Sequence, residues 1–507
     1  MASICLATAA LTLFLARCLA GIGPVIDLGY NLQQAASITT LENTYDIYQF
    51  YDIRYAASTT GANRFKAPQA PSQNRTTIQR GGQHWACPQA NQSWNVILEP
   101  FLQQYNFGRG KTVFERSDFP PALPPNTTIG ARTTEDCLFL DLYVPKNVLD
   151  GMNSGRPGVP VLVQIVGGGY ASGTKDLDPT GLFLRDREQR GDGLIVSLYL
   201  AVQWSKLTTH GQIVSINYRL GAFGFLAGNN FVRDGGVANA GLLDQRFALQ
   251  WVQRHICKFG GDPKNVTVIG ESAGGGSIMY QITAYGGARG SAPFQKALLQ
   301  SPGVEPQKND AQRNTDYANF LKLLGVSNLA QARELPFATV YAANVRQIYD
   351  APYGHFVYGP VVVGTFAPDL PAKLLAKGKF HRGLDIMVGH NADEVRGCSY
   401  ELMLSETVLT YKSKGISFTS PFIQNTASFK QDVASWLPAR VATQNFLDFV
   451  ADHMYPEVFD GSQGYTDQIG RTAKALTQVK VFNTTGNLRM QRDDVANERC
   501  NIWQRVI

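Results

Sequence analysis

The sequence lacks several features that would assign its chemistry directly. It contains no C-x-x-C pair and no histidine cluster, which gives no basis for a metal site. It also lacks the G-x-G-x-x-G turn of dinucleotide-binding proteins. Charged residues make up only 17% of the 507 residues, and the net charge of +6 comes from scattered lysines and arginines. We therefore expect no metal, no organic cofactor and no nucleic-acid partner.

Long apolar runs are scarce, with one exception at the N-terminus. Residues 4–15 are nearly all apolar, and Cys18-Leu19-Ala20 offers a small-x-small cleavage site before Gly21. The run is too short to span a bilayer, although no lysine or arginine precedes it, so a buried or anchoring helix is the alternative. We predict a signal peptide at residues 1–20, an extracellular location and no stable membrane insertion.

Cysteines and glycosylation sequons are compatible with secretion. Five cysteines follow residue 20, and an odd number leaves at least one thiol free or intermolecular. Each N-x-S/T sequon is weak evidence for a glycoprotein. The cysteines are Cys87, Cys137, Cys257, Cys398 and Cys500, and the sequon asparagines are Asn74, Asn91, Asn126, Asn265 and Asn483.

From residue 159 onward, strands and helices alternate, with no internal repeat and no low-complexity linker. Residues 159–166 form a nearly continuous apolar run, which is typical of a strand buried on both faces. Residues 213–218, 265–269 and 294–299 are further strand candidates, and residues 242–252 have helical periodicity. The alternation predicts an α/β fold with a mostly parallel sheet covered by helices on both faces.

The segment Gly270-Glu271-Ser272-Ala273-Gly274 is a G-x-S-x-G motif. It follows the predicted strand 265–269 and precedes small residues that can begin a helix. A serine on a sharp strand-to-helix turn has its hydroxyl exposed in a cleft, above the N-terminus of the helix. The motif nominates Ser272 as a nucleophile for acyl transfer, and an ordinary turn is the alternative.

A second glycine-rich turn, Val166-Gly167-Gly168-Gly169-Tyr170, closes the first buried strand. Acyl transfer needs two or three N–H donors for the tetrahedral oxyanion, and glycines present backbone N–H groups without obstruction. A phosphate-binding loop fits less well because the glycine spacing differs and no acid follows as a ribose partner. A plain turn is the remaining alternative, and we predict an oxyanion hole.

A histidine base is harder to find. A serine nucleophile needs a histidine, and a carboxylate must orient that histidine. In α/β-hydrolases the order along the chain is Ser, then Asp or Glu, then His. After Ser272 the sequence contains only His355, His381, His390 and His453.

Taken together, these stretches resemble the type-B carboxylesterase/lipase family, which contains the cholinesterases and fungal secreted lipases. The likeness covers about residues 61–483, and its motifs are specific. They are Glu135-Asp136-Cys137-Leu138-Phe139-Leu140-Asp141-Leu142, Asn217-Tyr218-Arg219-Leu220-Gly221, Gly241-Leu242-Leu243-Asp244-Gln245-Arg246, Phe259-Gly260-Gly261-Asp262-Pro263 and the Ser272 turn.

The resemblance implies an α/β-hydrolase fold and hydrolysis of small-molecule or lipid carboxylic esters. It implies Ser272 as nucleophile, Gly168, Gly169 and Ala273 as oxyanion donors, and Glu394 as the acid of the triad. Asp393 is the alternative acid. It further implies a Cys87–Cys137 disulfide that closes a lid-like loop, and a buried Arg64–Glu135 ion pair. Tyr170, Phe223 and Phe356 are candidates for the substrate pocket.

The sequence departs from the family pattern at four places. Asp141 replaces the usual Asn of the E-D-C-L-x-L-N-V signature, and Val166 stands where His, Tyr or Phe is common. Residues 198–212 form an insertion between two similar segments, and we hypothesise a gene-model artefact, with a tolerated surface insertion as the alternative. No histidine follows His453, which lies in a predicted helix that the family does not use for its catalytic loop.

These departures predict a domain at residues 21–483, an atypical tail at 484–507, and a chain that stops short of the family's last strand and helices. The predicted function is a secreted ester hydrolase impaired by the missing histidine. A non-catalytic, esterase-like binding or adhesion protein is the alternative.

Overall fold

The computed structural model describes residues 22–41, 45–107, 111–121, 123–152, 155–184, 211–303, 308–389, 420–435, 437, 442–460, 465, 467–469 and 471–472. Several predicted features lie outside these ranges. They are the signal peptide, residues 198–210 of the insertion, His390, Asp393, Glu394 and the tail at 484–507.

Strands and helices alternate in the described residues from residue 139 to residue 389. The strands are β1 (Ile22–Asp27), β2 (Asn31–Ala35), β3 (Ser37–Leu41), β4 (Tyr45–Arg54), β5 (Asn74–Gln79), β6 (Phe139–Pro145), β7 (Val159–Ile165), β8 (Gln212–Ile216), β9 (Gly261–Glu271), β10 (Lys296–Gln300) and β11 (Asp385–Gly389).

Most helices follow β7 in the chain. They are α1 (Asn95–Phe107), α2 (Lys146–Asp150), α3 (Thr180–Leu184), α4 (Gly221–Phe225), α5 (Asn229–Arg233), α6 (Ala240–His255), α7 (Ala273–Ile282), α8 (Asp310–Leu324), α9 (Leu329–Glu334), α10 (Phe337–Tyr349), α11 (Pro371–Ala376), α12 (Thr426–Ser435) and α13 (Gln444–Phe449). In the described ranges, no helix is both long enough and apolar enough to cross a membrane.

Eight of the strands form one sheet in the order β11-β10-β9-β7-β8-β6-β4-β3. Within this sheet, β8, β7, β9, β10 and β11 pair in parallel. At the other end, β6 pairs antiparallel with β8, β4 with β6, and β3 with β4. Every residue of β8 is buried, as expected of a parallel strand that is covered on both faces. The prediction of a mostly parallel sheet in an α/β fold is confirmed. A separate sheet of β1, β2 and β5 was not predicted.

The helix pair α6 and α7 packs beside the strand that leads to Ser272. Three of the predicted apolar positions of α6, Leu242, Leu249 and Val252, are fully inaccessible because a 3.6-residue period places them on one face, whereas Leu243 is partly exposed. All ten residues of α7 are buried. The helix that begins at the nucleophile turn therefore lies inside the protein, where it cannot shift easily.

Candidate active site

Ser272 lies between β9 and α7 in a strained backbone conformation. Its φ of 54° and ψ of −120° belong to a region that residues other than glycine rarely adopt. Hydrogen bonds hold it there on both sides. Its N–H donates to Gln300 O at 3.0 Å, and its carbonyl accepts from Gly276 N at 2.9 Å and from Gly303 N at 2.7 Å. Strain that is fixed in this way is typical of a functional turn.

The second glycine of the motif, Gly274, is required by a close approach between two elements. A Cβ at this position would collide with the Ile165 carbonyl oxygen and lie 3.1 Å from the Ile165 carbonyl carbon. Only glycine lets the first turn of α7 pack this tightly against the end of β7. This contact brings the helix N-terminus beside the strand that carries the glycine-rich turn.

Residues 167–175, which we call the oxyanion loop, begin at the same sheet edge as Ser272. Since β7 and β9 are parallel and pair Ile165 with Gly270, the two chains leave the sheet side by side. A Cβ on Gly167 would lie 3.4 Å from Ser272 Cβ. Within the loop, Gly168 O accepts hydrogen bonds from Ala171 N and Ser172 N at 3.1 and 3.0 Å.

The structure brings together the turns that contain the three predicted oxyanion donors, Gly168, Gly169 and Ala273. The two glycines have φ values of 102° and 59°, and they lie on the turn adjoining Ser272. Ala273 opens α7, and the first intrahelical hydrogen bond is donated by Gly276, so the N–H of Ala273 precedes the helical ladder. Chemically, such N–H groups at a helix N-terminus can stabilise a developing negative charge.

The residue before the loop, Val166, is fixed through its backbone. The Tyr218 hydroxyl donates to Val166 O at 2.8 Å, and burial raises the pKa of Tyr218 well above its usual value, so the phenol stays protonated as a donor. The Val166 side chain is not involved in this bond. The departure from His, Tyr or Phe at this position therefore leaves the anchoring bond intact.

A group of aromatic side chains packs against the oxyanion loop at Gly169. A Cβ on Gly169 would lie 2.5 Å from Phe356 Cδ1, so the ring rests directly on this glycine. Trp94 packs edge-on against Phe356 with ring centroids 5.8 Å apart, and it contacts Tyr353 at 5.5 Å. Its indole N–H donates to His355 O at 3.3 Å. We call Trp94, Tyr353 and Phe356 the aromatic wall.

Of the three pocket candidates, Tyr170 belongs to the oxyanion loop and Phe356 packs against the loop at Gly169. Tyr170 is fully buried, and its ring contacts Phe225 with centroids 5.0 Å apart. Phe223 is also buried, and it packs on Phe65 and Phe337 as part of the core. A small, open cleft adjoins Phe356 and is lined by Phe225, Lys308, Arg313 and Tyr358, among others.

The disulfide and the ion pair implied by the resemblance are both present. Cys87 and Cys137 are bonded across 50 residues, and the segment between them contains Trp94. Arg64 donates to Glu135 through Nε and also through Nη2 at 2.7 Å, and both residues are about 3% exposed. Trp94 was not singled out from the sequence, where no local pattern marks it. Its position depends on this covalent closure.

The acid and the base of a triad do not appear beside Ser272 in the described residues. Gly389, the last residue of β11, pairs with Gln300 of β10, which on its other side pairs with Glu271 of β9. The chain beyond β11, which contains Glu394, lies outside the described ranges. Among the described histidines that follow Ser272, each has another partner. His355 Nε2 lies 3.1 Å from Ser435 Oγ, His381 Nε2 lies 3.2 Å from Arg246 Nη2, and the His453 ring contacts Phe449.

The sheet order and the strand-turn-helix at Ser272 define the fold as that of an α/β-hydrolase. The chain belongs to the carboxylesterase family, whose model matches residues 36–483, and it is thereby a carboxylic-ester hydrolase.

Its relatives and a solved structure support the same assignment. It is 39% identical over 466 residues to carboxylesterase patB of Aspergillus clavatus, covering 89% of this chain and 75% of that protein. Carboxylesterase patB of Penicillium expansum is 36% identical over 486 residues, covering 93% and 78%. A secreted lipase of Arthroderma benhamiae is 34% identical over 263 residues, covering 51% and 47%. The solved structure of Aspergillus niger EstA matches with a TM-score of 0.57 and 25% identity, covering 89% and 71%.

Proposed function

We propose that Ser272 attacks the carbonyl carbon of an ester, that the ester C–O bond breaks and the alcohol leaves, and that water then hydrolyses the acyl-enzyme to give the carboxylic acid and free Ser272. The backbone N–H groups of Gly168, Gly169 and Ala273 hold the oxyanion, and Glu394, or Asp393 in its place, orients a histidine. One observation carries this proposal. The strained turn at Ser272 and the oxyanion loop leave adjacent strands at the same edge, so close together that a Cβ on Gly167 would touch Ser272 Cβ.

The substrate that fits these surroundings is a small-molecule or lipid ester. The aromatic wall lines one side of the oxyanion loop, and the cleft beyond Phe356 contains both apolar and charged groups. Pockets of this kind bury apolar ligand surface and use few polar groups for orientation. The wall supports an acyl or alcohol group with apolar surface, without defining which ester is hydrolysed.

We further propose that hydrolysis by this 507-residue chain is weak because it lacks the histidine base. The sequence contains no histidine after His453. His355, His381 and His453 are engaged with Ser435, Arg246 and Phe449, respectively, and His390 lies outside the described residues. Without a base a serine hydroxyl is a poor nucleophile, and serine hydrolases of another fold that lose a triad member keep only the residual rate from binding and the oxyanion hole.

The test is hydrolysis of p-nitrophenyl esters by the purified chain, with and without added imidazole. We expect a low rate that is lost in Ser272→Ala and raised by imidazole, since a free base can replace the missing side chain. Only the difference between the wild type and Ser272→Ala is counted, because imidazole also hydrolyses such esters by itself. Ser327→Ala, which changes an exposed serine elsewhere, is the matched control.

A fluorophosphonate probe separates the remaining outcomes. Slow labelling that depends on Ser272 supports the proposal. Fast labelling and rapid turnover without imidazole contradict the missing base and show that a histidine of this chain serves Ser272. No labelling and no turnover under any condition contradict the serine mechanism, and they favour the non-catalytic binding protein.

We also propose that the chain is secreted, with a signal peptide at residues 1–20, a hydrolase domain at 21–483 and a separate tail at 484–507. The apolar run at 4–15 and the disulfide support an extracellular protein. Expression in a yeast host should give a protein in the culture medium that begins at Gly21 by N-terminal sequencing. Retention in the cell with Met1 intact would contradict this proposal.

A further inference from the structure

A lysine is completely buried at the end of the oxyanion loop. Lys175 has no exposed surface, and its ammonium lies 2.8 Å from Asp141 Oδ1 and 2.9 Å from Asp52 Oδ1. The two carboxylates are only 1% and 4% exposed. An ammonium group is removed from water at a large cost unless charged partners compensate it closely. The three side chains, which we call the lysine clamp, therefore depend on one another.

The lysine clamp explains the departure from the family signature at Asp141. An asparagine at this position would be neutral, whereas the aspartate adds a charge inside the protein. Burial raises the pKa of Asp141 to about 6 despite the ammonium beside it, which shows how poorly solvated this carboxylate is. Lys175 supplies the charge that an aspartate requires here and that an asparagine would not require.

The position of Lys175 connects this cluster to the oxyanion loop. The loop begins where β7 ends, and at its other end the backbone N–H of Lys175 donates to Asn217 Oδ1 at 2.9 Å. In between, Gly173 N donates to Gln89 Oε1 at 3.0 Å. The Lys175 side chain then reaches Asp52 at β4 and Asp141 in β6. The clamp thus attaches the far end of the loop to the antiparallel half of the sheet.

The same carboxylates hold the chain that leads into the disulfide. Asp52 accepts from His84 N at 2.8 Å and from Trp85 N at 3.0 Å, and its own N–H donates to Asp141 Oδ1 at 2.8 Å. Because Asp52 has φ of 52°, these bonds also fix an uncommon backbone conformation. Both segments that frame the site, the oxyanion loop and the segment before Cys87, converge on the clamp.

We propose that Lys175 is a positioning residue that holds the oxyanion loop in place through its contacts with Asp141 and Asp52. Its effect on catalysis rests on the proposed function of Gly168 and Gly169, whereas its effect on the order of the loop does not.

The first test measures hydrogen exchange at amides 171–175 in the wild type and in Lys175→Met. These amides include the hydrogen-bonded N–H groups of Ala171, Ser172, Gly173 and Lys175. We expect their exchange to become at least about tenfold faster, with regions away from the lysine clamp unchanged, because the loop opens locally. Lys146→Met, which removes a half-exposed ion pair with Asp150, is the matched control and should change nothing there.

The double variant Asp141→Asn with Lys175→Met separates positioning from charge balance. It installs the neutral residue of the family signature and removes the cation, so its stability should recover relative to Lys175→Met alone. We expect loop exchange as fast as in Lys175→Met, and in both variants a kcat about tenfold below that of the wild type with KM within about twofold, since the donors are displaced. Recovery of kcat and of slow exchange together with stability would overturn the proposal and make Lys175 a counterion only.

Asp141→Asn alone keeps the test decisive if the methionine variants do not fold. It removes one of the two carboxylates that hold the ammonium, and we expect exchange at amides 171–175 about threefold faster than in the wild type. Unchanged exchange in this variant would overturn the proposal. If the wild type shows no Ser272-dependent turnover, the proposed function fails, and the exchange measurements still decide whether Lys175 orders the loop.

Discussion

Replacement of Gly169 by alanine should destabilise the protein through two effects that can be measured separately. The first is backbone strain, because Gly169 has φ of 59°, and a non-glycine residue in such a conformation costs about 1 kcal/mol. The second is steric. The new methyl group would lie 2.5 Å from Phe356 Cδ1 and 2.8 Å from Cζ, whereas carbon atoms in contact are about 3.5 to 4.0 Å apart.

The ring of Phe356 would have to move by at least about 1 Å to restore that separation. It is confined by Trp94, whose ring centroid lies 5.8 Å away. Overpacking of this kind typically costs about 1 to 3 kcal/mol. Adding the strain gives an expected loss of about 3 kcal/mol in the free energy of unfolding. Urea unfolding followed by tryptophan fluorescence would measure it.

Three variants separate the two effects. Gly325→Ala places alanine at φ of 68° with no atom within 4 Å of the new Cβ, so it carries the strain alone and should cost about 1 kcal/mol. Gly364→Ala has open space and no positive φ, and it should cost close to nothing. In a Phe356→Ala background, Gly169→Ala should cost only the strain. The reasoning is refuted if Gly169→Ala is no more destabilising than Gly325→Ala.

Two further predictions concern stability. Arg219→Met should cost about 3 to 5 kcal/mol in urea unfolding, because it leaves the inaccessible Asp244 carboxylate without its ion-pair partner. Arg346→Met, which breaks a half-exposed pair with Asp350, should cost less than about 1 kcal/mol, and equal losses would contradict this contrast. Burial, with the charges of Arg254 and Lys258, lowers the pKa of His255 to about 4 from 6.5. The unfolded chain therefore binds more protons between these values, and the stability due to His255 is lost as the pH falls from 6.5 towards 4. His255→Phe, which keeps an aromatic ring between Tyr30 and Trp251, should flatten this dependence, and identical pH profiles for the two proteins would refute the prediction.

Much of the α/β half of the fold was predictable because the signals are local. Residues 159–166 and 265–269 were predicted as strands from apolar and β-branched runs; β7 covers 159–165, and β9 includes all of 265–269. The ends were less predictable. β8 begins at Gln212, a polar residue that is fully buried, and β9 extends back to Gly261, where no apolar pattern marks a strand. Strand ends depend on pairing partners, which a single sequence does not specify.

The N-terminal strands were missed for a related reason. β1, β2 and β5 form a small separate sheet, and two of its strands, Asn31–Ala35 and Asn74–Gln79, are largely polar. Strands of this composition are stabilised by cross-strand hydrogen bonds and by packing on the rest of the protein. Hydrophobic periodicity carries little information about them.

The sequence by itself determined the two turns on which the proposed chemistry depends. Gly168, Gly169 and Gly274 stand where a positive φ or a close approach requires glycine, and the shortage of histidines after Ser272 can be counted directly. Such features are readable because a sharp turn constrains the residues that form it.

The tertiary structure alone decided which distant residues meet these turns. Phe356 rests on Gly169, and Lys175 lies between Asp52 and Asp141, through contacts that follow from the strand order of the sheet and from the disulfide. The physical reason is that a buried charge or ring contacts residues that the fold brings beside it from distant parts of the sequence. No local sequence pattern links residue 169 to residue 356. The departure at Asp141 was visible in the sequence, but its partner Lys175 became evident only in the folded chain.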